Sequence, residues 1–401
     1  MVKLDTFEID HWVLTRSPGA KHNLAHSYVR PISLHDLELL SCDGRGDVNI
    51  LKSIQQIPLD YGSSFKGLPQ LRENISRLYS VGNGHLSPEQ ILTTPGASLA
   101  NLLIYLALIG PGDHVIVQYP TYQQLYSVPA ALGADVCLWR ADQEDGWGLD
   151  LEELKGLIRP NTKMIVLNNP QNPTGAILGK STLEKVVEIA KANNIIILSD
   201  EIYRPVFHSL PPGDADYPPS ILSMGYANVV ATSSLSKMYS LAGIRVGWIA
   251  SNSPSIIDLC INARAYGLIT VSQVDEQIAA SALSPSCAEK ITHNNNTLAK
   301  RNREIVQAWI DEHASVARWT RPSAGPIGFI QFSRSDQSLI DDVRFCNQLL
   351  ERKGVLLVPG SKCFGPEFAG HVRLGLGMET QALIDGLQVV AEFIKESYDD
   401  F

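Results

Sequence analysis

The sequence predicts an α/β protein, a largely parallel sheet with helices on both faces joined to a smaller α+β domain. Helix-like and strand-like segments alternate from about residue 90, the pattern of a parallel sheet built from strand–helix–strand units. The strand candidates MIVLNN, IIILSD and NVVATSS are apolar until their last residues, which turn polar. Strands buried on both faces read this way, and in open sheets their carboxyl ends carry the ligand site. After GWIAS the alternation gives way to long helices and then to short strands. A chain of 401 residues is too long for one compact core and short for three, so one large domain with a smaller companion is expected. The boundaries read as a large domain over 46–289 and a small one from 1–45 with 290–401.

Each element has a local reason. ASLANLLIYLAL has helical length and ends at the turn GPGD, after which HVIVQYP is β-rich. QQLYSVPAALGA reads as a helix before the strand DVCLW, and the amphipathic LDLEELKGLI precedes TKMIVLNNP. STLEKVVEIAKANN precedes IIILSDEIY, and PPGDADYPP is a surface loop. In the last third PIGFIQF is strand-like, DDVRFCNQLLERKG helical, VLLVPG and HVRLGLG short strands, and TQALIDGLQVVAEFIKE a closing helix.

Composition narrows the function. The chain is 44% hydrophobic and 19% charged with a formal net charge of −9, an ordinary soluble composition without a broad basic surface for nucleic acid or anionic membrane. A small-molecule substrate is therefore expected. Cys42, Cys137, Cys260, Cys287, Cys346 and Cys363 are scattered without a CxxC pair and read as reduced thiols of a cytoplasmic protein. MVKLDTFEIDHW has no apolar core of a secretory signal, and the apolar run LANLLIYLALIG is interrupted by Asn101 and too short to span a bilayer.

The chemistry-bearing residues follow strand candidates. Asn172 lies in NNPQNPTG, Asp200 and Tyr203 in SDEIY, Lys237 in SSLSK and Arg245 in GIRVGW. The fold can gather all of them at one sheet edge, where they suit a phosphorylated aromatic cofactor bound to a lysine. A lone SxSK would be weak evidence, and Asp200 alone could cap a helix. His22 and His26 in HNLAH stand at i, i+4 but lack a third metal ligand nearby, so a polar surface or the rim of the site is the better reading. The glycines of DGRGD and VGNGH read as loop residues.

NPTG, DEIY, SLSK followed by GIRVGW, and the late HVRLG, in this order and spacing over nearly the whole chain, resemble the class I/II aminotransferases of pyridoxal phosphate fold type I. The resemblance implies a seven-stranded, mostly parallel sheet and pyridoxal 5′-phosphate as cofactor. Lys237 would form a Schiff base with the cofactor and shuttle the substrate Cα proton. Asp200 would pair with the pyridine nitrogen, and Tyr203 and Asn172 with the ring oxygen. Tyr122, in YPTYQQ, matches the aromatic stacked on the ring. Gly96, Ala97 and Ser98, in TPGASLAN, with Ser234, Ser236 and Arg245, would hold the phosphate at a helix start. Arg373 matches the arginine that clamps the substrate α-carboxylate. Tyr61 resembles a tyrosine lent to the neighbouring subunit's phosphate, which implies a homodimer with shared active sites.

Transamination of an α-amino acid is the reaction this implies, and the cofactor leaves the bond broken to the protein's choice. The N-terminal HWVLTRSPGAKHNLAHSYVRPISLHDLELL, GADVCLWRADQEDGWGLDLEEL and NNPQNPTG are also similar to the branch that includes capreomycidine synthase and arginine oxidases and hydroxylases. That branch implies oxidation, hydroxylation or cyclisation of an arginine-type substrate; Gln171 departs from it where histidine is frequent. A guanidinium would need carboxylates, with Asp10, Asp36 and Asp43 as candidates. A third reading, a noncatalytic cofactor-binding module fused to a DNA-binding domain, is disfavoured because no basic helix-turn-helix extension is seen at either end.

Overall fold

The structure, a computed structural model, describes residues 4–41, 50–80, 86–211 and 213–397. Its fourteen strands in chain order begin with β1 (His22–Asn23), β2 (Ile91–Thr94), β3 (His114–Tyr119), β4 (Asp135–Asp142) and β5 (Gly148–Leu149). They continue with β6 (Thr162–Asn168), β7 (Ile196–Asp200), β8 (Val229–Ser234), β9 (Gly247–Ser251), β10 (Ala317–Trp319) and β11 (Ile327–Phe332). β12 (Val355–Leu356), β13 (Val358–Pro359) and β14 (His371–Gly375) complete the set.

The central sheet has the order β2-β9-β8-β7-β6-β3-β4-β5. β8, β7, β6, β3 and β4 pair in parallel, while β9 runs antiparallel to both of its neighbours. The seven expected strands are thus joined by an eighth, the two-residue edge strand β5, antiparallel to β4. Alternation along a strand sends successive side chains to opposite faces. Ile165, Leu167 and Ile197 accordingly enter one apolar core, whereas Met164, Val166 and Leu198 enter a second beneath the helix Ala97–Leu108.

The last third forms a four-stranded sheet of order β10-β11-β14-β13, antiparallel throughout. Its core gathers Trp12, Phe329, Phe345, Leu356 and Phe393. Trp12 belongs to the N-terminal helix Glu8–Arg16 and donates from Nε1 to Leu357 O at 2.8 Å. β1 and β12 form a separate parallel two-stranded sheet, which ties the start of the chain to the segment just ahead of β13. The helix Pro285–Glu312 begins in the core of the central sheet, through Cys287 and Ile291, and ends in the small-sheet core through Val306, Trp309 and Ile310.

Helix ends match the sequence signals. Asp150, Ser272 and Asp341 accept backbone N–H bonds at the starts of three helices, and Gly354 ends the helix Asp342–Lys353 in the left-handed conformation at φ 76°. β2 was not anticipated: ILTT is only four residues long and merges with the apolar helix that follows. No helix among the described residues is long and apolar enough to cross a membrane.

Candidate active site

One pocket opens at the carboxyl ends of the central strands. Asn168, Asp200 and Ser234 are the last residues of β6, β7 and β8, and all three line it. Ala97 and Ser98 follow the end of β2, and Tyr122 follows β3. The topology therefore gathers side chains scattered through the sequence into one wall.

At one end the pocket is built for an anion. The helix Ala97–Leu108 starts here, with N–H groups of Ala97 and Ser98 that its own turns leave without acceptors. Gly96 precedes them at φ 82°, and a Cβ there would lie 2.5 Å from Arg245 Nη2. Glycine is thus needed both for the backbone conformation and for the approach of the guanidinium. A Cβ on Gly247 would fall 2.6 Å from the Gly96 carbonyl carbon. Arg245 is itself left-handed at φ 54° and donates to Ser236 Oγ at 3.1 Å and to Ala242 O at 2.9 Å. Ser234 Oγ accepts the backbone N–H of Ser236 at 3.1 Å.

Lys237 stands on the pocket wall with Ser236 and Arg245. Its Nζ donates to Ser27 Oγ at 3.1 Å and lies 5.7 Å from the Tyr28 ring centroid. Burial, helped by the nearby Arg373 guanidinium and opposed by Asp10, lowers its pKa to about 8. Burial raises Asp200 to about 6, against hydrogen bonds from Asn101 and the Ile202 N–H that favour the carboxylate. A lysine brought toward neutrality beside a guarded carboxylate is the arrangement that proton transfer at neutral pH requires.

Arg373, 3% exposed on β14, reaches in from the small sheet. It donates to Asn172 Oδ1 at 3.2 Å and to Ala25 O at 2.8 Å, while its buried Nε finds no acceptor. Such an orphaned donor suits a carboxylate. Tyr203 is fully buried, hydrogen-bonds Ser27, and has its phenol pushed up to about 12 by burial. Tyr122 packs on Phe7 with centroids 5.1 Å apart, and burial raises its phenol too.

The remaining wall comes from the N-terminal segment: Ile9, Asp10, Val13 and Ala25 to Tyr28. The helix Glu8–Arg16 is fastened on both sides of the cleft. Glu8 N donates to Gln123 Oε1 at 2.8 Å, Trp12 holds Leu357, and Lys362 pairs with Glu8 at 2.9 Å. Asp10 faces the cationic groups Lys237 and Arg373, which lower its pKa against a larger rise from burial.

Eleven of the thirteen residues singled out from the sequence line this pocket; Gly96 sits just behind it and Tyr61 lies apart. Tyr61 is 64% exposed, on a segment where Leu59 and Phe65 are exposed as well. Gln171 does not line the pocket. It is a buried strut whose Nε2 donates to Pro120 O at 2.6 Å and whose Oε1 accepts from Thr174 at 2.5 Å. His26 lines the pocket whereas His22 lies in β1. Asp36 is an exposed acceptor for the Ser33 N–H and hydroxyl, and Cys42, Asp43, DGRGD and VGNGH lie outside the described residues. Asn101, Ser27 and Tyr28 were missed, since none belongs to a strand-end motif, and Asn168 was passed over although it opens NNPQNPTG at the end of β6.

The donors fit a phosphorylated aromatic aldehyde: one pocket holds an anion cradle, an amine, a buried carboxylate and an arginine whose buried Nε has no acceptor. Comparisons with known proteins agree. The profile of the family "Aminotransferase class I and II" matches residues 59–389. Capreomycidine synthase of Streptomyces vinaceus is 28% identical over 96% of this chain and 92% of its own. An arginine–pyruvate transaminase of Pseudomonas aeruginosa is 30% identical over 81% of this chain and 80% of its own. The crystal structure of a pyridoxal phosphate-dependent aminotransferase from Streptococcus suis superposes with a TM-score of 0.88 at 39% identity, covering 98% of both chains.

Proposed function

Because the chain belongs to the class I and II aminotransferase family, whose members depend on pyridoxal 5′-phosphate, we propose that this pocket removes the Cα proton of an α-amino acid and passes its amino group to a 2-oxo acid. When bound, the cofactor supplies an aldehyde for amines and a ring that accepts the electron pair left at Cα. The residues divide the remaining work. Ser234, Ser236, Arg245 and the N–H groups of Ala97 and Ser98 hold the phosphate, with Gly96 as the turn that lets them converge. Lys237 anchors the cofactor and, once the substrate amine replaces it, takes the proton from Cα through Nζ.

Asp200 is assigned to the ring nitrogen, Asn172 and Tyr203 to the ring oxygen, and Tyr122 to the ring face. Arg373 orients the substrate by its α-carboxylate, and Asn172 helps to hold that arginine. We assign the large, cofactor-holding domain to 46–289 and the small domain to 1–45 with 290–401. The exposed Leu59, Tyr61 and Phe65 support a homodimer in which Tyr61 serves the partner's phosphate site. The scattered cysteines support a cytoplasmic setting.

The observation that carries this reading is the shared pocket of Lys237, Asp200, Arg245 and Arg373. A second reading, oxidation or cyclisation of arginine or a derivative, is favoured by Asp10 in the pocket lining, beside the apolar Ile9 and Val13 of the same helix, and by the likeness to capreomycidine synthase. The deciding experiment mixes the purified enzyme with a panel of amino acids, arginine included, with and without 2-oxoglutarate, under air or argon. Dependence on the 2-oxo acid establishes transamination. Oxygen uptake without an acceptor establishes oxidation, and a new product with neither establishes cyclisation or elimination. No spectral change with any amino acid would leave only a cofactor-binding module.

A further inference from the structure

The helix Ala97–Leu108 carries one amide in an otherwise apolar stretch, Asn101, and its side chain is 1% exposed. A buried polar side chain inside a helix is costly unless each of its groups is satisfied. Here they are. Asn101 Nδ2 donates to Asp200 Oδ2 at 3.0 Å and to Gln124 Oε1 at 3.4 Å, and Oδ1 accepts from Thr232 Oγ1 at 2.7 Å. Gln124 is itself held by donating from Nε2 to Ser98 O at 2.7 Å. Turning the amide over would set its oxygen against the Asp200 carboxylate, so the network admits one orientation.

Thr232 is the register partner of Asp200 across β7 and β8. Asp200 Oδ1 accepts from the Ile202 N–H at 3.1 Å, so each carboxylate oxygen has one fixed donor and keeps lone pairs for the pocket that Asp200 lines. Asn101 stands one turn beyond Ser98, on the same helix face. The helix whose first N–H groups meet the anion thus also grips the carboxylate assigned to the other end of the same ligand.

We infer that Asn101, oriented by Thr232, is a positioning residue that fixes the Asp200 carboxylate for the ring nitrogen of the cofactor. This rests on the role given above to Asp200. The other charged or titratable groups facing Asp200 are Lys237, Glu201, Tyr105, Tyr122 and Tyr203. Glu201 is engaged by Ser220 Oγ at 3.0 Å and the Ile221 N–H at 2.9 Å, and Lys237 is needed for the chemistry. Asn101 is therefore the side chain left to hold the carboxylate.

The test titrates apoenzyme with pyridoxal 5′-phosphate, following absorbance, for Asn101→Ala, Thr232→Val, Asp200→Ala and the double variant Asn101→Ala/Asp200→Ala, with kcat measured alongside. Asn101→Ala is expected to raise the cofactor Kd by about 10- to 100-fold, the range for a hydrogen bond to a charged group, and to lower kcat more than it raises substrate KM. Thr232→Val should shift Kd the same way by about threefold or more. In the Asp200→Ala background, Asn101→Ala should add less than about twofold, because its target is gone. A wild-type Kd for Asn101→Ala or Thr232→Val, with Asp200→Ala impaired, overturns the inference alone. An undiminished Asn101→Ala effect without Asp200 does the same. A wild-type Kd and kcat for Asp200→Ala removes the role of Asp200 itself, and this inference with it.

Discussion

Arg373 of the small sheet donates to Asn172 Oδ1 of the large-sheet loop at 3.2 Å, while its Nε stays without an acceptor in a buried position. One side of the guanidinium is thus spent on holding the two parts of the site together, and its Nε is free for the substrate carboxylate proposed above. Replacing Arg373 by Met should lower kcat/KM for every amino acid by about 10- to 1000-fold, since a charge-assisted, partly bidentate contact is lost. Arg373→Lys should recover only a small part, because an ammonium cannot reproduce the fork. Steady-state kinetics with two unrelated substrates check this; a loss confined to one substrate would move Arg373 to side-chain recognition.

Lys237→Ala should abolish the visible absorbance of lysine-bound cofactor and reduce turnover by at least about 10³-fold, with an unchanged far-ultraviolet circular dichroism spectrum. Retention of the absorbance band would take Lys237 out of its role.

The pH dependence of cofactor capture follows from the lysine. Only the neutral amine attacks an aldehyde, and burial with the Arg373 charge brings Lys237 down to about 8. The rate of capture by apoenzyme should rise with pH and level off above a midpoint near 8. Arg373→Met removes a repelling charge and should move this midpoint upward, whereas Asp10→Asn removes an attracting one and should move it downward. Stopped-flow absorbance over pH 6–10 measures both displacements; equal midpoints in all three proteins would contradict the electrostatics.

The proposed second reading makes Asp10 a test of substrate choice. Asp10→Asn should reduce kcat/KM for arginine at least about tenfold while leaving that for alanine within about twofold, if arginine is the amino donor. Equal losses for both would confine Asp10 to tuning Lys237.

The proposed dimer predicts a shared defect. Tyr61→Phe should raise the cofactor Kd by about 10- to 100-fold, the loss of one hydrogen bond to a charged group, in a protein that light scattering still reports as two chains. A monomer with full activity would remove Tyr61 from the site.

Much of this was legible because strand-end motifs are local. Asp200 terminates a run of apolar residues, Ser234 to Arg245 lie within twelve positions, and Arg373 sits in a short strand of its own. Asn101 was read only as an interruption in an apolar run, because its partners Thr232 and Asp200 are more than ninety residues away. The N-terminal wall was legible only in part: Asp10 was named among three candidate carboxylates and His26 was read as polar surface or rim, but the contact of Ser27 with Lys237 spans 210 residues. Gln171 was noted only as a departure from the arginine-acting branch; next to Asn172 in sequence, its amide braces Pro120.

The N-terminal helix is fastened by Glu8 and Trp12 to both sides of the cleft. Apart from Tyr61, the residues proposed to hold the cofactor's phosphate and its lysine lie between Gly96 and Arg245, whereas residues 9–28 supply a separate stretch of the same pocket's lining. The enzyme therefore keeps its tool and its template on separate pieces of chain. Grafting a relative's first thirty residues onto this body would retool selectivity while the cofactor machinery stays in place.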